Sequence, residues 1–297
     1  LAIVPLAPTD LGRAAGTDVI AMFLESYGAV TYDMPEIERV VGPARREFAA
    51  AAQQSGRRIL SAFVTSPTFG GGSWLAHSTF MSGIEVSDPD TYALLLTQQR
   101  ETVPKLFKQR GFRSVALMPG TRSAWPEGVY YGFDTIYDEK ALSYVGPDFG
   151  WWRIPDQYSL AMLNVLEPRF GRAPLFAFFP TINTHIPFVP IPPYQPDWVR
   201  LRTAEPFDAE NIIARIGREP DWLALGEPYA ESFAYTFEYL AGYLRGVAAD
   251  DAVMLFVGDN QPAASVTGPD ARWDVPVHVV TRRDDIADAF AAAGFVE

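Results

Sequence analysis

DVIAMFLESYG, residues 18–28, opens on an unbroken apolar run and closes on Glu25, Ser26 and Gly28. The run from Val19 to Leu24 is too short for a comfortable helix and has no polar alternation, so it predicts a strand buried on both faces. Gly28 then turns the chain. Such a strand belongs to a sheet with helices on both sides, and the neighbouring sequence must supply them.

It does so in alternation. Residues 36–56 predict a helix in their later part, stopped at Gly56, and 58–66 a second strand. Residues 73–83 have helical length and begin with a capping-type serine. Residues 91–111 read as helix broken or kinked near Pro104, 114–120 as strand and 133–138 as a short strand. A helix over 155–168 opens at Pro155, and 174–183 is strand-like. A long amphipathic helix over 229–247, strands over 252–260 and 275–282, and a closing helix over 284–294 complete the series. Residues 1–16 read as an apolar approach segment, and the proline- and tryptophan-rich stretch 186–225 as a long surface excursion. The expectation is an α/β fold: a mostly parallel central sheet with helices on both faces, forming one domain over 1–297.

The bulk numbers bound the function. A chain of 297 residues that is 48% hydrophobic has enough apolar material for a sizeable core. Its net charge of −12, with no Lys/Arg run, argues against a nucleic-acid partner. The lack of cysteine removes disulfides, thiolate metal sites and cysteine nucleophiles together. No apolar run of about 18 residues is present. The chain begins at Leu1 rather than Met, which reads as a trimmed or processed protein, with any membrane anchor in a preceding N-terminal region.

In open α/β sheets, chemistry sits beyond the carboxyl ends of the strands. There the first strand presents Glu25 and Ser26, and the second leads into Gly70, Gly71, Gly72 and Ser73. The strand at 174–181 leads to Asn183 and His185, and that at 252–257 to Asp259 and Asn260. Carboxylates at the ends of different buried strands repel unless a cation lies between them. Glu25, Asp259, Asn260 and the Ser73 oxygen form an all-oxygen set that suits one divalent ion, Mg²⁺, Mn²⁺ or Ca²⁺ ahead of Zn²⁺. Such an ion, with the helix N-terminus behind it, would ease deprotonation of Ser73 for attack on phosphorus or sulfur. The glycines would let an anionic tetrahedral group approach main-chain N–H groups. His185 would bind a non-bridging oxygen or protonate the leaving group. Gly72, Trp74, His77 and Asn183 are expected to line the substrate.

Taken singly, each feature has a plainer reading. The glycines make a mobile loop, Ser73 an N-cap and GDN at 258–260 a turn, while His77 caps a neighbour. His278, inside VPVHVV, reads as a satisfied structural histidine. The functional reading rests on their joint order.

That order resembles the alkaline phosphatase–sulfatase superfamily, in particular the sulfatase-like branch of lipoteichoic acid synthases and phosphoglycerol or phosphoethanolamine transferases. The stretches that carry the resemblance are DVIAMFLESYG, FGGGSWLAHSTFMSG, GVYYGFDTIYD, FGWWRIPDQ, FFPTINTHIPF and MLFVGDNQP. The resemblance implies that Glu25 is the first metal ligand, Ser73 the nucleophile, His185 a substrate-binding histidine and Asp259 the aspartate of the family's Asp-His-Gly metal motif. Asn260 departs from the histidine of that motif, as in several calcium-binding sulfatases. Leu75 and His77 stand where sulfatase maturation requires Pro and Arg, which argues against a formylglycine enzyme. With only 3 histidines, one metal ion is expected rather than two.

The expected activity is therefore a metal-dependent phosphotransferase or phosphodiesterase working through a phospho-serine at Ser73. By the same resemblance, a phospholipid donates its head group to an envelope glycan at the extracytoplasmic face of the inner membrane. The alternatives are a phosphate or sulfate ester hydrolase, and a catalytically inactive glycan- or protein-binding scaffold.

Overall fold

The computed structural model describes residues 5–150 and 152–297. Residues 1–4 of the expected approach segment, and Trp151 of the FGWWRIPDQ stretch, lie outside the described residues.

The strands are β1 (Val19–Leu24), β2 (Arg58–Thr65), β3 (Arg113–Met118), β4 (Thr135–Asp138), β5 (Leu175–Pro180), β6 (Val253–Gly258) and β7 (Asp274–Thr281). The helices are α1 (Val30–Asp33), α2 (Pro35–Gln54), α3 (Ser73–Ser82), α4 (Pro89–Leu96), α5 (Val103–Gln109), α6 (Glu127–Tyr131), α7 (Glu139–Leu142), α8 (Asp156–Leu166), α9 (Ala209–Ile216), α10 (Gly226–Gly246), α11 (Ala264–Thr267) and α12 (Asp284–Ala292). The helix expected over 91–111 is in fact α4 and α5, and Pro104 lies in the first turn of the second, where it costs no hydrogen bond.

The strands form one 7-stranded sheet in the order β2-β7-β6-β1-β5-β3-β4. Every residue of β1 is buried, and the strand pairs in parallel with β5 on one side and β6 on the other. Its side chains feed two cores. Ile20, Met22 and Leu24 pack with α2, α8 and α10, while Val19, Ala21 and Phe23 pack with residues of α3, α5 and α12. On α10, Tyr229, Phe233 and Phe237 recur at helical spacing; Phe233 stacks on Tyr27 and meets Tyr229 edge-on, and Phe237 meets Tyr27 edge-on.

The sheet is mixed, which corrects the expectation of a mostly parallel one. β7 runs antiparallel to both β6 and β2. A parallel return requires a crossover, usually a helix. Between β6 and β7 the only helix is the 4-residue α11, so the chain turns back beside the strand it has just left.

The segment 186–225 also differs from its reading as a surface excursion. It holds a 3₁₀ turn at Arg200–Arg202 and α9, and it buries Phe188, Ile191, Leu201, Phe207 and Leu225 in the larger core. These anchors recur at neither helical nor strand spacing, so periodicity does not reveal them. No helix among the described residues is long and apolar enough to cross a membrane.

Candidate active site

β1, β6 and the turn from β2 into α3 meet at one edge of the sheet. After Thr65 the chain is tied down at Ser66, whose N–H donates to the Trp273 carbonyl and whose hydroxyl donates to the Asp259 carbonyl. Gly70 N–H then donates to the Gln261 carbonyl at 2.9 Å. Gly70, Gly71 and Gly72 have φ of 71°, 140° and 74°, a succession that side-chain-bearing residues rarely adopt. They swing the chain so that α3 begins at Ser73, directly after the bend. Ser73 is thus the first helical residue and Gly72 the N-cap, with no side-chain cap bond. This corrects the capping reading: the hydroxyl is used elsewhere.

It donates to Glu25 Oε2 at 2.7 Å. Glu25 is buried at the end of β1, and its other oxygen accepts from the Ser26 hydroxyl at 2.9 Å. Its backbone is gripped from β5: Glu25 N–H donates to the Thr181 hydroxyl at 3.0 Å, and the Thr184 hydroxyl donates to the Glu25 carbonyl at 2.5 Å. Asp259, 1% exposed, accepts through Oδ1 from the N–H of Ser26 and of Asn260, both at 2.7 Å, and from the Asn260 carboxamide at 2.9 Å. The same carboxamide donates to the Ser73 hydroxyl oxygen at 3.2 Å. Glu25, Ser73, Asp259 and Asn260 are therefore brought together.

The electrostatics are unfavourable as they stand. Burial first, then the charge of Asp259, pushes the Glu25 carboxyl up to about 8. Burial pushes Asp259 up to about 6 and His77 down to about 4. Asp259 Oδ2, Asn260 Oδ1 and His77 Nε2 are buried without a hydrogen-bond partner, and His77 Nε2 lies 3.6 Å from Asp259 Oδ2. Unpartnered buried polar atoms of this kind are costly, and a cation would satisfy them. Among the described residues, no group of three or more His, Cys, Asp or Glu side chains is arranged to hold a metal ion. Glu25, Ser73, Asp259 and Asn260 all carry oxygen donors, a chemistry that would suit a divalent ion.

The other expected residues are placed differently. His185 packs its ring on Trp152 at 4.6 Å, and its Nδ1 lies 2.7 Å from the Ile186 carbonyl. Trp74 turns its ring edge-on to Tyr92, and Asn183 Oδ1 accepts from the N–H of Asp156 at 2.7 Å. His278 is satisfied away from the site, between Tyr27 and Ser61. Sequence reasoning placed Ser26 beside Glu25 without giving it a role, and it missed Thr181, Thr184 and Asp156. Ser26 follows the strand at φ 58°, which aims its N–H at Asp259, and only its place beside Glu25 could have marked it. The 660 Å³ groove beside α2, α9 and α10 contains none of the reactive groups, so the chemistry and not the cavity size locates the site.

No protein-family model matches this sequence, and no curated protein matches it. Solved structures do resemble it. The lipoteichoic acid synthase LtaP from Listeria monocytogenes is 13% identical with a TM-score of 0.59, over 94% of this chain and 69% of that one. The phosphoglycerol transferase GacH of Streptococcus pyogenes, in complex with sn-glycerol-1-phosphate, is 13% identical with a TM-score of 0.57, over 89% and 68%. The C-terminal periplasmic domain of EptC from Escherichia coli, in complex with Zn, is 13% identical with a TM-score of 0.59, over 94% and 77%. The chain shares its fold with these structures and with that of a protein in the alkaline phosphatase superfamily from Vibrio parahaemolyticus, 14% identical with a TM-score of 0.57.

Proposed function

We propose that this fold serves as the single catalytic unit of a head-group phosphotransferase, with Ser73 as nucleophile. The observation that carries the reading is the 2.7 Å bond from the Ser73 hydroxyl to buried Glu25, at the start of a helix and after three backbone-bare residues. Ser73 Oγ forms a bond to the phosphorus of a phosphodiester, the bond from phosphorus to the lipid oxygen breaks, and the serine proton passes to water. His185, at the loop after β5, would protonate the departing lipid alkoxide. An acceptor hydroxyl of an envelope glycan then attacks phosphorus and releases Ser73; water in that role makes the reaction a hydrolysis.

Glu25, Ser73, Asp259 and Asn260 would hold one divalent ion, which supplies positive charge for the serine oxyanion and the phosphate. Their oxygen-rich donor set favours Mg²⁺, Mn²⁺ or Ca²⁺ over Zn²⁺. The phosphoglycerol transferase of Streptococcus pyogenes and the phosphoethanolamine transferase of Neisseria meningitidis support a phosphoglycerol or phosphoethanolamine head group, and the periplasmic EptC domain supports an extracytoplasmic location.

Incubation with phosphatidylglycerol or phosphatidylethanolamine and a divalent ion, followed by peptide mass spectrometry, tests the proposal. A head-group phosphate adduct on Ser73 is expected, and Ser73→Ala should lower turnover on the order of 10³-fold or more. Turnover of Ser73→Ala at the wild-type rate would remove Ser73 from the chemistry.

A further inference from the structure

His77 follows Ser73 by four residues on α3, so the two side chains share a face of the helix, one turn apart. Its ring stands edge-on to Phe23 of β1 at 4.9 Å and to Phe178 of β5 at 5.5 Å. Held there, Nε2 lies 3.6 Å from Asp259 Oδ2, and the His77 side chain is only 12% exposed. The gap is too long for a hydrogen bond, and neither atom has another partner. Asn260 Oδ1 is likewise buried and unpartnered. Asp259 Oδ1, by contrast, accepts from three donors, and the two Glu25 oxygens accept from the hydroxyls of Ser73 and Ser26. The uncommitted atoms are thus an imidazole nitrogen, a carboxylate oxygen and a carboxamide oxygen.

The spacing of the first two suits a shared ion. Two atoms each about 2.1–2.3 Å from one cation, at octahedral to tetrahedral angles, lie about 3.0–3.8 Å apart. The observed 3.6 Å falls inside that range. A neutral imidazole offers a lone pair to a metal, and the burial that makes these unpartnered atoms costly strengthens the attraction of a cation that joins them.

We propose that His77 ligates the divalent ion through Nε2, alongside Asp259 and Asn260, and that its nitrogen selects Mn²⁺ over Ca²⁺ and Mg²⁺. Calcium and magnesium are hard ions that take oxygen, whereas divalent transition ions also take imidazole. His77 thereby ties the ion to the helix that carries Ser73, one turn from its hydroxyl. The inference rests on the reading that gathers one ion at Glu25, Ser73, Asp259 and Asn260.

Mn²⁺ titrated into the whole chain and followed by pulsed electron paramagnetic resonance tests it. The bound ion should show a nitrogen coupling that changes when histidine alone is labelled with ¹⁵N. His185→Gln should keep that coupling. His77→Gln should lose it and weaken Mn²⁺ binding about tenfold or more, while Ca²⁺ binding changes by less than about threefold. Should His77→Gln not fold, His185→Gln decides, because both ring nitrogens of His278 are engaged by Tyr27 and Ser61. Loss of the coupling in His185→Gln then overturns the proposal. Mn²⁺ bound with no histidine coupling, as a plain His77–Asp259 hydrogen bond would give, overturns the ligand and leaves the oxygen donors as the ion's site. A coupling that survives His77→Gln, or equal losses of Mn²⁺ and Ca²⁺ affinity in that variant, also overturns it. No Mn²⁺ binding at all removes the ion reading together with this one. A His77 coupling in a chain whose Ser73 forms no adduct keeps the ligand and removes the reaction it was to serve.

Discussion

Asp156 has no exposed surface, yet both of its carboxylate oxygens are used: one accepts from Ile182 N–H at 2.9 Å, the other from Asn183 N–H at 2.8 Å. Asn183 returns the bond through its carboxamide oxygen to Asp156 N–H. This clamp fixes the start of α8 to the loop after β5, whose Thr181 and Thr184 grip the backbone of Glu25. Asp156→Ala leaves two buried N–H groups unsatisfied and should cost about 2–4 kcal/mol in urea unfolding; Asp156→Asn, which keeps one acceptor, should cost about half of that. At this scale Glu25, Ser73, Asp259 and Asn260 were legible because each follows a recognisable strand or opens a helix. Asp156, Thr181 and Thr184 were not, because they act through backbone bonds to partners as many as 159 residues away in the chain. A local pattern does not encode such pairings.

Among the elements, β7 carries the second testable consequence. His278 on this strand is held between Tyr27 and Ser61, and burial, with a smaller contribution from Arg45, pushes its pKa down to about 4. Between about 6.5 and 4 the unfolded chain takes up a proton that the native imidazole refuses. Stability therefore rises with pH across that window and is lost as pH falls through it, by up to about 3 kcal/mol for this group. His278→Gln should flatten the acid limb of a stability–pH profile measured by chemical denaturation. The strands and long helices were legible from their apolar runs and helical spacing. The direction of β7 was not, because VPVHVV reads the same in either sense and only the short link after β6 decides it.

For the whole molecule, the cost of the site is carried by the fold. Two carboxylates with raised pKa values share the end of a buried sheet, so an ion that binds only the native state stabilises all of it. Calcium or manganese at about 100 times its dissociation constant should add about 2.7 kcal/mol, seen as a higher Tm. Asp259→Asn removes one of the two like charges; it should melt higher than wild type in EDTA and gain nothing from the metal. The overall architecture was legible because strands and helices alternate throughout. The packing of 186–225 was not, since its buried residues follow no period.

The placement of β2 has a temporal meaning. This strand delivers Ser73, yet it sits at the sheet's edge and pairs only with β7, Arg58 opposite Thr281 and Thr65 opposite Asp274, with a further bridge from Ser61 to Val296. A nascent chain holds the turn before Ser73 unanchored until Asp259, 193 residues beyond Ser66, and the strand that follows it have left the ribosome. On the proposed reading of Ser73, a chain that lacks β6 and β7 has no assembled centre.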